Sequence, residues 1–449
     1  MKVFHSAAVV GLAFALAAPA YAAVSSEEAA KLGGSELTSV GAERAGNADG
    51  SIPAWQADWT GPAMPEKGGL YPDPFAGEKP LYTINQENMG QYAEVLSEGT
   101  QELIRRWGDY RVDVYESHRV VDFPEWLKQA TIANATRVQN TEDGASLEGA
   151  MGGYPYPIPK TGAEAIWNHN LRYYGPPYQA RFTGWMVDST GNLIMTHDLE
   201  NYTESPYHED PEDTPKYFQR RLSTYLGPAR MVGEKSLTYM SLNFQADGNN
   251  KIWAYSQGQR RVRLAPDFGY DTPMTNAGGT YFFDELGMWE GQLDRFDFKL
   301  VGKKELLVPY NNYRFLMHTA PGDAYGKQFA NPDVMRWEKH RVWVVEATLK
   351  PGKRHAQSKK VFYIDEDSWS MVLYEGYDQA GKMMRSAQGL ITYDWSTKSV
   401  PNTPMVMYDL VKGQYVSSMH LHGGTGYVRV DRWPNSRLTP DAMAGGGIR

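Results

Sequence analysis

The sequence predicts an α+β protein rich in β-structure. Its centre is a large, curved, mostly antiparallel sheet, covered by helices and loops from the N-terminal third. Three observations lead there. The hydrophobic period changes from three-to-four residues to two near residue 176. The later apolar runs are separated by short turns carrying Gly, Asp or Pro, and short connections favour antiparallel neighbours. A sheet of that many strands must also close, split or be covered, because a bare edge invites aggregation. The chain therefore divides into residues 1–22, an arm and helical region over 23–175, and a β domain over 176–449. Residues 23–449 are expected to form one structural unit.

Residues 1–22 carry an early Lys2, an apolar run from Ala7 to Ala18, and Ala20-Tyr21-Ala22. That order is a secretory signal peptide with cleavage near Ala22-Ala23, and the run is short for a membrane span. Cysteine is absent, which excludes disulfides, thiolate metal sites, a cysteine nucleophile and a lipid-bearing cysteine. No later stretch is apolar enough to span a membrane. The expectation is an exported, periplasmic protein that is not a lipoprotein. The 45 basic and 53 acidic residues leave a net charge of −8, and no basic tract of the nucleic-acid type occurs.

The arm begins with Ser25-Ser26-Glu27-Glu28, a helix start with early acids. Pro and Gly dominate through PDPFAGEKP, an irregular stretch. Residues 85–107 are predicted as one amphipathic helix, with Met89, Tyr92, Val95, Leu96, Leu103 and Trp107 on one face and Gly99 weakening its middle. Helices are also predicted over 124–139 and 161–173. From Arg181 the chain reads as strand, Ser-Thr-Gly-Asn turn, strand. Thr238, Met240, Leu242 and Phe244 then share one strand face, before an Asp247-Gly248 turn. Further strands follow in FKLVGKKELLVPY, RVWVVEATLK, KKVFYID and the segments up to Trp433.

Few motifs carry chemistry. In AERAGNADGSIPAWQ (42–56), aligning Gly50 with the turn glycine of a calcium loop puts Ala45 and Gln56 where acids are needed. A phosphate loop fails too, because Ile52-Pro53 follows instead of a helix. The stretch is expected to be an Asx-stabilised turn that sends Trp55 out to dock on the sheet domain. His420 and His422 form a His-x-His pair on one strand face, a weak candidate metal site; His197, His318, His340 and His355 are the other histidines that could complete it. Asp365, Glu366 and Asp367 are expected to form a solvated hairpin turn. Asp284, Glu285 and Glu290 are candidate acids that sequence alone does not pair. No G-x-S-x-G elbow or H-E-x-x-H helix occurs. Trp185, Met195, Tyr239, Trp253, Tyr255, Trp343, Phe362 and Tyr374 lie on separate strands. Such side chains either form plain core or line an apolar cavity.

The strings KLGGSELTSVGAERAGNADGSIPAW, KIWAYSQGQRRVRLAPDFGYDTP, FKLVGKKELLVPYNNY and RVWVVEATLKPGKRHAQSKKVFYIDEDSW resemble an exported Gram-negative family of unknown function. That family is described as outer-membrane lipoprotein-sorting-like and related to the carriers LolA and LolB. The resemblance covers nearly the whole mature chain. It implies a half-barrel whose apolar concave face holds acyl chains, and it implies that the eight residues above line the cavity. It also implies work with an exporter of the resistance-nodulation-division type and outer-membrane partners. The chain is more than twice as long as those carriers. Two functions follow as expectations. One is a non-enzymatic carrier of a hydrophobic or amphiphilic molecule, without cofactor. The other is an exported carbohydrate-active hydrolase or lyase using two carboxylates.

Overall fold

The structure is a computed structural model that describes residues 24–141, 144–209, 216–243, 250–265, 269–402 and 404–445. The expected signal peptide, Phe244 and the expected Asp247-Gly248 turn lie outside the described residues. The arm opens with helix α1 (Ser26–Ala29), where Ser25 and Glu28 cap each other reciprocally. Two short strands, β1 (Gly68–Gly69) and β2 (Tyr82–Ile84), precede helix α2 (Glu98–Arg106) and β3 (Val112–Val114). Helix α3 (Glu125–Arg137), the hairpin β4 (Gln139–Thr141) and β5 (Ser146–Glu148), and helix α4 (Gly162–Asn170) complete the region.

Helices α3 and α4 stand where the periodicity places them. Thr161 and Glu164 form a capping box on α4, and all nine α4 residues are buried, so this helix is core. The single helix expected over 85–107 is two. A 3-10 turn over Met89–Val95 ends at Leu96, which is extended, and Ser97 starts α2 afresh by accepting from the Thr100 N–H at 3.1 Å. Gly99 therefore lies in the first turn of α2 rather than in mid-helix. Its N–H donates to Glu375 Oε1 at 2.6 Å, and a Cβ there would sit 2.6 Å from Ser386 Oγ. Contact with the sheet sets the break.

Among the described residues the sheet has 17 strands. A first meander runs through β6 (Tyr178–Val187), β7 (Leu193–Glu204), β8 (Tyr217–Gly227), β9 (Lys235–Ser241), β10 (Lys251–Ser256) and β11 (Arg261–Leu264). A second runs through β12 (Phe296–Pro309), β13 (Trp337–Leu349), β14 (Lys359–Asp365), β15 (Met371–Tyr377), β16 (Met383–Gly389), β17 (Met405–Asp409) and β18 (Gln414–His420). They join where β6 pairs with β18 and, further along, with β19 (Gly426–Arg429). Among the described residues every strand pairing is antiparallel except one parallel contact, Trp337 with Val114. Bulges at Gly184/Trp185, Leu300/Gly302 and Gly376/Tyr377 bend the strands. The sheet does not close. The expected α+β, β-rich, mostly antiparallel architecture is present, and the arm is woven into it: β1 pairs with β19, and β3 meets β13.

One consequence of this order positions everything else. Among the described residues strand β11 pairs only with β10, and β12, the next strand in the chain, pairs only with β13, so the two are opposite edges. The chain between Leu264 and Phe296 must therefore cross a face of the sheet.

The acidic run Asp365-Glu366-Asp367 is not a solvated turn. All three side chains are at most 1% exposed or fully buried, between β14 and β15. Arg119 meets them. Its Nε and Nη2 donate to Asp367 Oδ2 and Oδ1, both at 2.8 Å, and Nη2 also reaches Glu366 at 3.2 Å. The same guanidinium donates to the backbone carbonyls of Glu43, Ala45 and Pro53. Lys303 of β12 and Arg341 of β13 add bonds to Glu366 at 2.6 and 3.4 Å. Burial works against the Asp367 charge, but Arg119 outweighs it and holds the carboxyl below the usual range; burial and that neighbouring charge push Asp365 up. Sequence distance hid this arrangement, because Arg119 and Asp367 are 248 residues apart.

The loop over 42–56 is a turn, as expected. Asn47 Oδ1 accepts from Ile52 N–H and Asp49 Oδ1 from Ser51 N–H, each at 2.9 Å, and Gly50 takes a φ of 75°. Trp55 docks elsewhere than expected. Its indole N–H donates to the Val121 carbonyl at 2.8 Å and Arg44 lies 4.8 Å above its ring. The arm holds its own tryptophan, and Arg119 ties the arm to the sheet.

Removing one partner of a buried pair strands the other charge. Arg119→Met is expected to lower the urea unfolding free energy by about 3–5 kcal/mol. A loss below about 1 kcal/mol, the scale of a surface pair, would show that Lys303 and Arg341 neutralise the acids without it.

Candidate functional site

The crossing segment encloses a cavity of about 430 Å³ against the first meander. Strand parity decides the floor. On β6 and β7 it is Phe182, His197, Leu199 and Asn201; on β8 it is Arg221, Ser223 and Tyr225. Ser236 and Thr238 continue it on β9, and Ile252 and Ala254 on β10. The roof is Met274, Tyr281, Phe283 and Leu286 of the crossing segment, with Glu290 at its end. Met419, just before the end of β18, closes one side.

Three acids of the crossing segment fasten it to three strands. Glu290 makes a fork with Arg221 of β8, with both bonds at 2.9 Å. Asp284 accepts from Lys360 of β14 at 2.8 Å and from His355 at 3.1 Å. Glu285 accepts from Tyr374 of β15 at 2.9 Å and from Gln357 at 2.6 Å. Burial alone would raise the Asp284 carboxyl; Lys360 and His355 reverse that and hold it low. Trp289, fully buried, packs edge-on against Phe362 and Phe298 at 5.4 and 5.7 Å. The candidate acids Asp284, Glu285 and Glu290 are thus clamps.

The eight side chains expected to line a cavity lie outside the lining of this one. Tyr239, Trp253 and Tyr255 project from the opposite face of β9 and β10, where they form a separate cluster with Leu438 and Met443 of the C-terminal strap. Trp185 and Met195 are half-buried cross-strand partners. Trp343 stacks on Trp369, 6.2 Å away and nearly parallel. Phe362 and Tyr374 are fully buried core under Trp289 and Glu285. Both faces of β9 and β10 are covered, one by the crossing segment and one by the strap, so apolarity does not reveal which face holds the cavity. Thr238, placed on its strand face by alternation, lines this cavity.

His420, His197, His318 and His355 are engaged in hydrogen bonds within the chain. His420 is buried; its Nε2–H donates to the Thr319 carbonyl and its Nδ1 accepts from the Tyr325 hydroxyl, both at 2.9 Å. No lone pair remains for a metal, and its ring lies 6.4 Å from that of His422. His197 donates from Nε2 to the Ser418 carbonyl at 3.1 Å. Its ring lies over Gly184, where a Cβ would come within 2.2 Å of Cε1. His318 donates to the Tyr71 carbonyl at 2.7 Å, and His355 bonds Asp284. His340, Asp365 and Asp367 are close enough together to suggest a cation. Arg119 already occupies both Asp367 oxygens, and His340 bonds Glu338 at 3.1 Å. Among the described residues no helix is long and apolar enough to cross a membrane.

The family described as Protein of unknown function (DUF1329) matches residues 83–444. The chain belongs to that family. An uncharacterized protein of Pseudomonas aeruginosa is 38% identical over 447 residues, covering 97% of this chain and 96% of its own. A solved DUF1329 family protein from Desulfovibrio piger is similar with a TM-score of 0.43 at 13% identity, over 62% of this chain and 95% of its own. A putative outer membrane lipoprotein-sorting protein domain from Vibrio parahaemolyticus has a TM-score of 0.43 at 12% identity, over 63% and 98%. A LolA superfamily protein from Nitrosomonas europaea has a TM-score of 0.39 at 10% identity, over 63% and 100%.

Burial holds His197 and His420 down to about 4, against an ordinary value of 6.5. Their folded value lies below the unfolded one, so the unfolded chain takes the proton first as pH falls. The stability they contribute is complete above 6.5 and is lost on acidification towards 4. The urea midpoint is expected to fall over that interval, and His420→Gln to flatten the fall. An unchanged slope in that variant would show that His420 does not contribute.

Proposed function

We propose that this is an exported periplasmic carrier that holds a hydrophobic or amphiphilic molecule between the crossing segment and the first meander. The observation that carries it is the cavity: about 430 Å³, walled largely by Phe182, Leu199, Ile252, Met274, Phe283 and Met419. That volume lies within the range of small-molecule sites. Burying an acyl chain there gains about 0.8 kcal/mol per methylene, so no charged anchor is needed. Delivery to or from an exporter of the resistance-nodulation-division type, with an outer-membrane partner, is part of the same proposal and rests on the sequence resemblance.

The carboxylate-pair hydrolase gains no support from this cavity. Its two lining acids are Glu234 and Glu290. Both Glu290 oxygens are taken by Arg221, so the two acids are not a pair of free carboxylates; Glu234 accepts through Oε1 from the Ser256 hydroxyl and the Gln257 N–H.

The mature protein is expected to carry lipid-like mass through gentle purification in native mass spectrometry, and to take up a fluorescent acyl probe. Leu199→Trp, which fills the floor, should weaken uptake at least roughly tenfold while the far-ultraviolet circular dichroism stays unchanged. A bare polypeptide with no probe uptake would overturn the carrier reading.

A further inference from the structure

The charges in the cavity set what kind of amphiphile it takes. Four charged residues contribute to its lining: Arg221, Glu234, Lys235 and Glu290. One of them turns away. Lys235 Nζ donates to the Met443 carbonyl at 3.1 Å and lies 5.6 Å from the Tyr255 ring, on the strap side of the sheet. Glu234 extends the cavity face of Ser236 and Thr238, and its Oε1 accepts from the Ser256 hydroxyl and the Gln257 N–H, both at 3.3 Å. Arg221 and Glu290 form a fork of two parallel bonds. The side chains of both are largely buried, at 12% and 14% exposure. His197 keeps its Nε2–H on the Ser418 carbonyl and is neutral. The other polar groups on the wall, such as Ser236, Thr238, Asn276 and Asn402, are hydroxyls and amides.

Resting on the carrier reading, we infer that the cavity takes an amphiphile whose polar end is a hydroxyl, ester or amide in preference to an anionic one, and that the Arg221–Glu290 pair is the residue pair that enforces this. An entering anion finds no spare cation: Glu290 already offsets the charge of Arg221, and Glu234 adds a further negative charge to the wall. An anion that displaces Glu290 from Arg221 leaves that carboxylate buried without a partner. A hydroxyl or ester end is matched by the wall's hydroxyls and amides and leaves the pair closed. The pair also joins the roof to the floor, so a ligand that left it intact would be held under a fastened segment.

The inference makes the pair a switch of head-group preference. Glu290→Gln frees the guanidinium and should turn the site towards anions; Arg221→Gln frees the carboxylate and should turn it towards cations. Binding of matched alkyl probes bearing an alcohol, a carboxylate or a quaternary ammonium head tests this by isothermal titration calorimetry. The wild-type protein is expected to prefer the alcohol over the carboxylate by at least roughly tenfold, and Glu290→Gln to raise carboxylate affinity relative to alcohol by roughly tenfold or more, the scale of one charge-assisted bond. A wild type that prefers the carboxylate head, or a folded Glu290→Gln protein with unchanged ranking, would overturn the inference. Where a single variant does not fold, the double Arg221→Gln, Glu290→Gln protein, which leaves neither charge stranded, decides: it should keep the preference for alcohol over carboxylate, and a preference for the carboxylate head would overturn the inference. Binding of no probe of any head group would instead overturn the carrier reading itself.

Discussion

A chain that leaves one edge of an open sheet and resumes at the opposite edge has to cross a face. Here the crossing falls between Leu264 and Phe296, and most of the functional architecture follows from it. The segment cannot be a bare loop over apolar strands, because its own polar groups would be buried without partners. It therefore carries carboxylates that find a base or a donor on each strand they pass: Arg221, Lys360 with His355, and Tyr374 with Gln357. Between those fixed points the segment turns Met274, Tyr281, Phe283 and Leu286 towards the floor. Trp289 fills the space over the second meander, and over the first a cavity remains.

The same logic of paired buried charge holds the arm in place. Glu366 and Asp367 sit in a hairpin between two buried strands, where an unpaired carboxylate is expensive. Arg119 supplies the countercharge and spends its remaining hydrogens on backbone carbonyls of the loop over 43–53. One side chain thus links the most polar point of the sheet to the least regular part of the chain. The Trp369 indole adds a bond to the Val40 carbonyl at 2.9 Å. The arm is a structural cover, and α4, buried on all sides, is the part of it that fills the core against β12 and β13.

Local signals were legible and long-range ones were not. The strands were readable because alternation and turn residues are short-range facts, and Thr161 with Glu164 marks the start of α4 within four residues. The split of the helix over 85–107 was not readable, since it depends on Glu375 receiving the Gly99 N–H from 276 residues away. The burial of Asp365-Glu366-Asp367 was hidden for the same reason. Tyr239, Trp253 and Tyr255 face the C-terminal strap, which makes the back of β9 and β10 apolar too. Alternation separates the two faces of a strand; only the covering elements decide which one encloses space.

The central claim is that the space under the crossing segment is where the ligand sits. The most direct measurement is photo-crosslinking of the mature protein with a diazirine-bearing alkyl alcohol, followed by peptide mapping. Labels are expected on the floor and roof together, at peptides holding Leu199, Ile252, Met274 or Phe283, with protection by excess unlabelled alcohol. Saturable labelling confined to the strap side, around Tyr239, Trp253 and Leu438, would place the site on the other face and contradict the account.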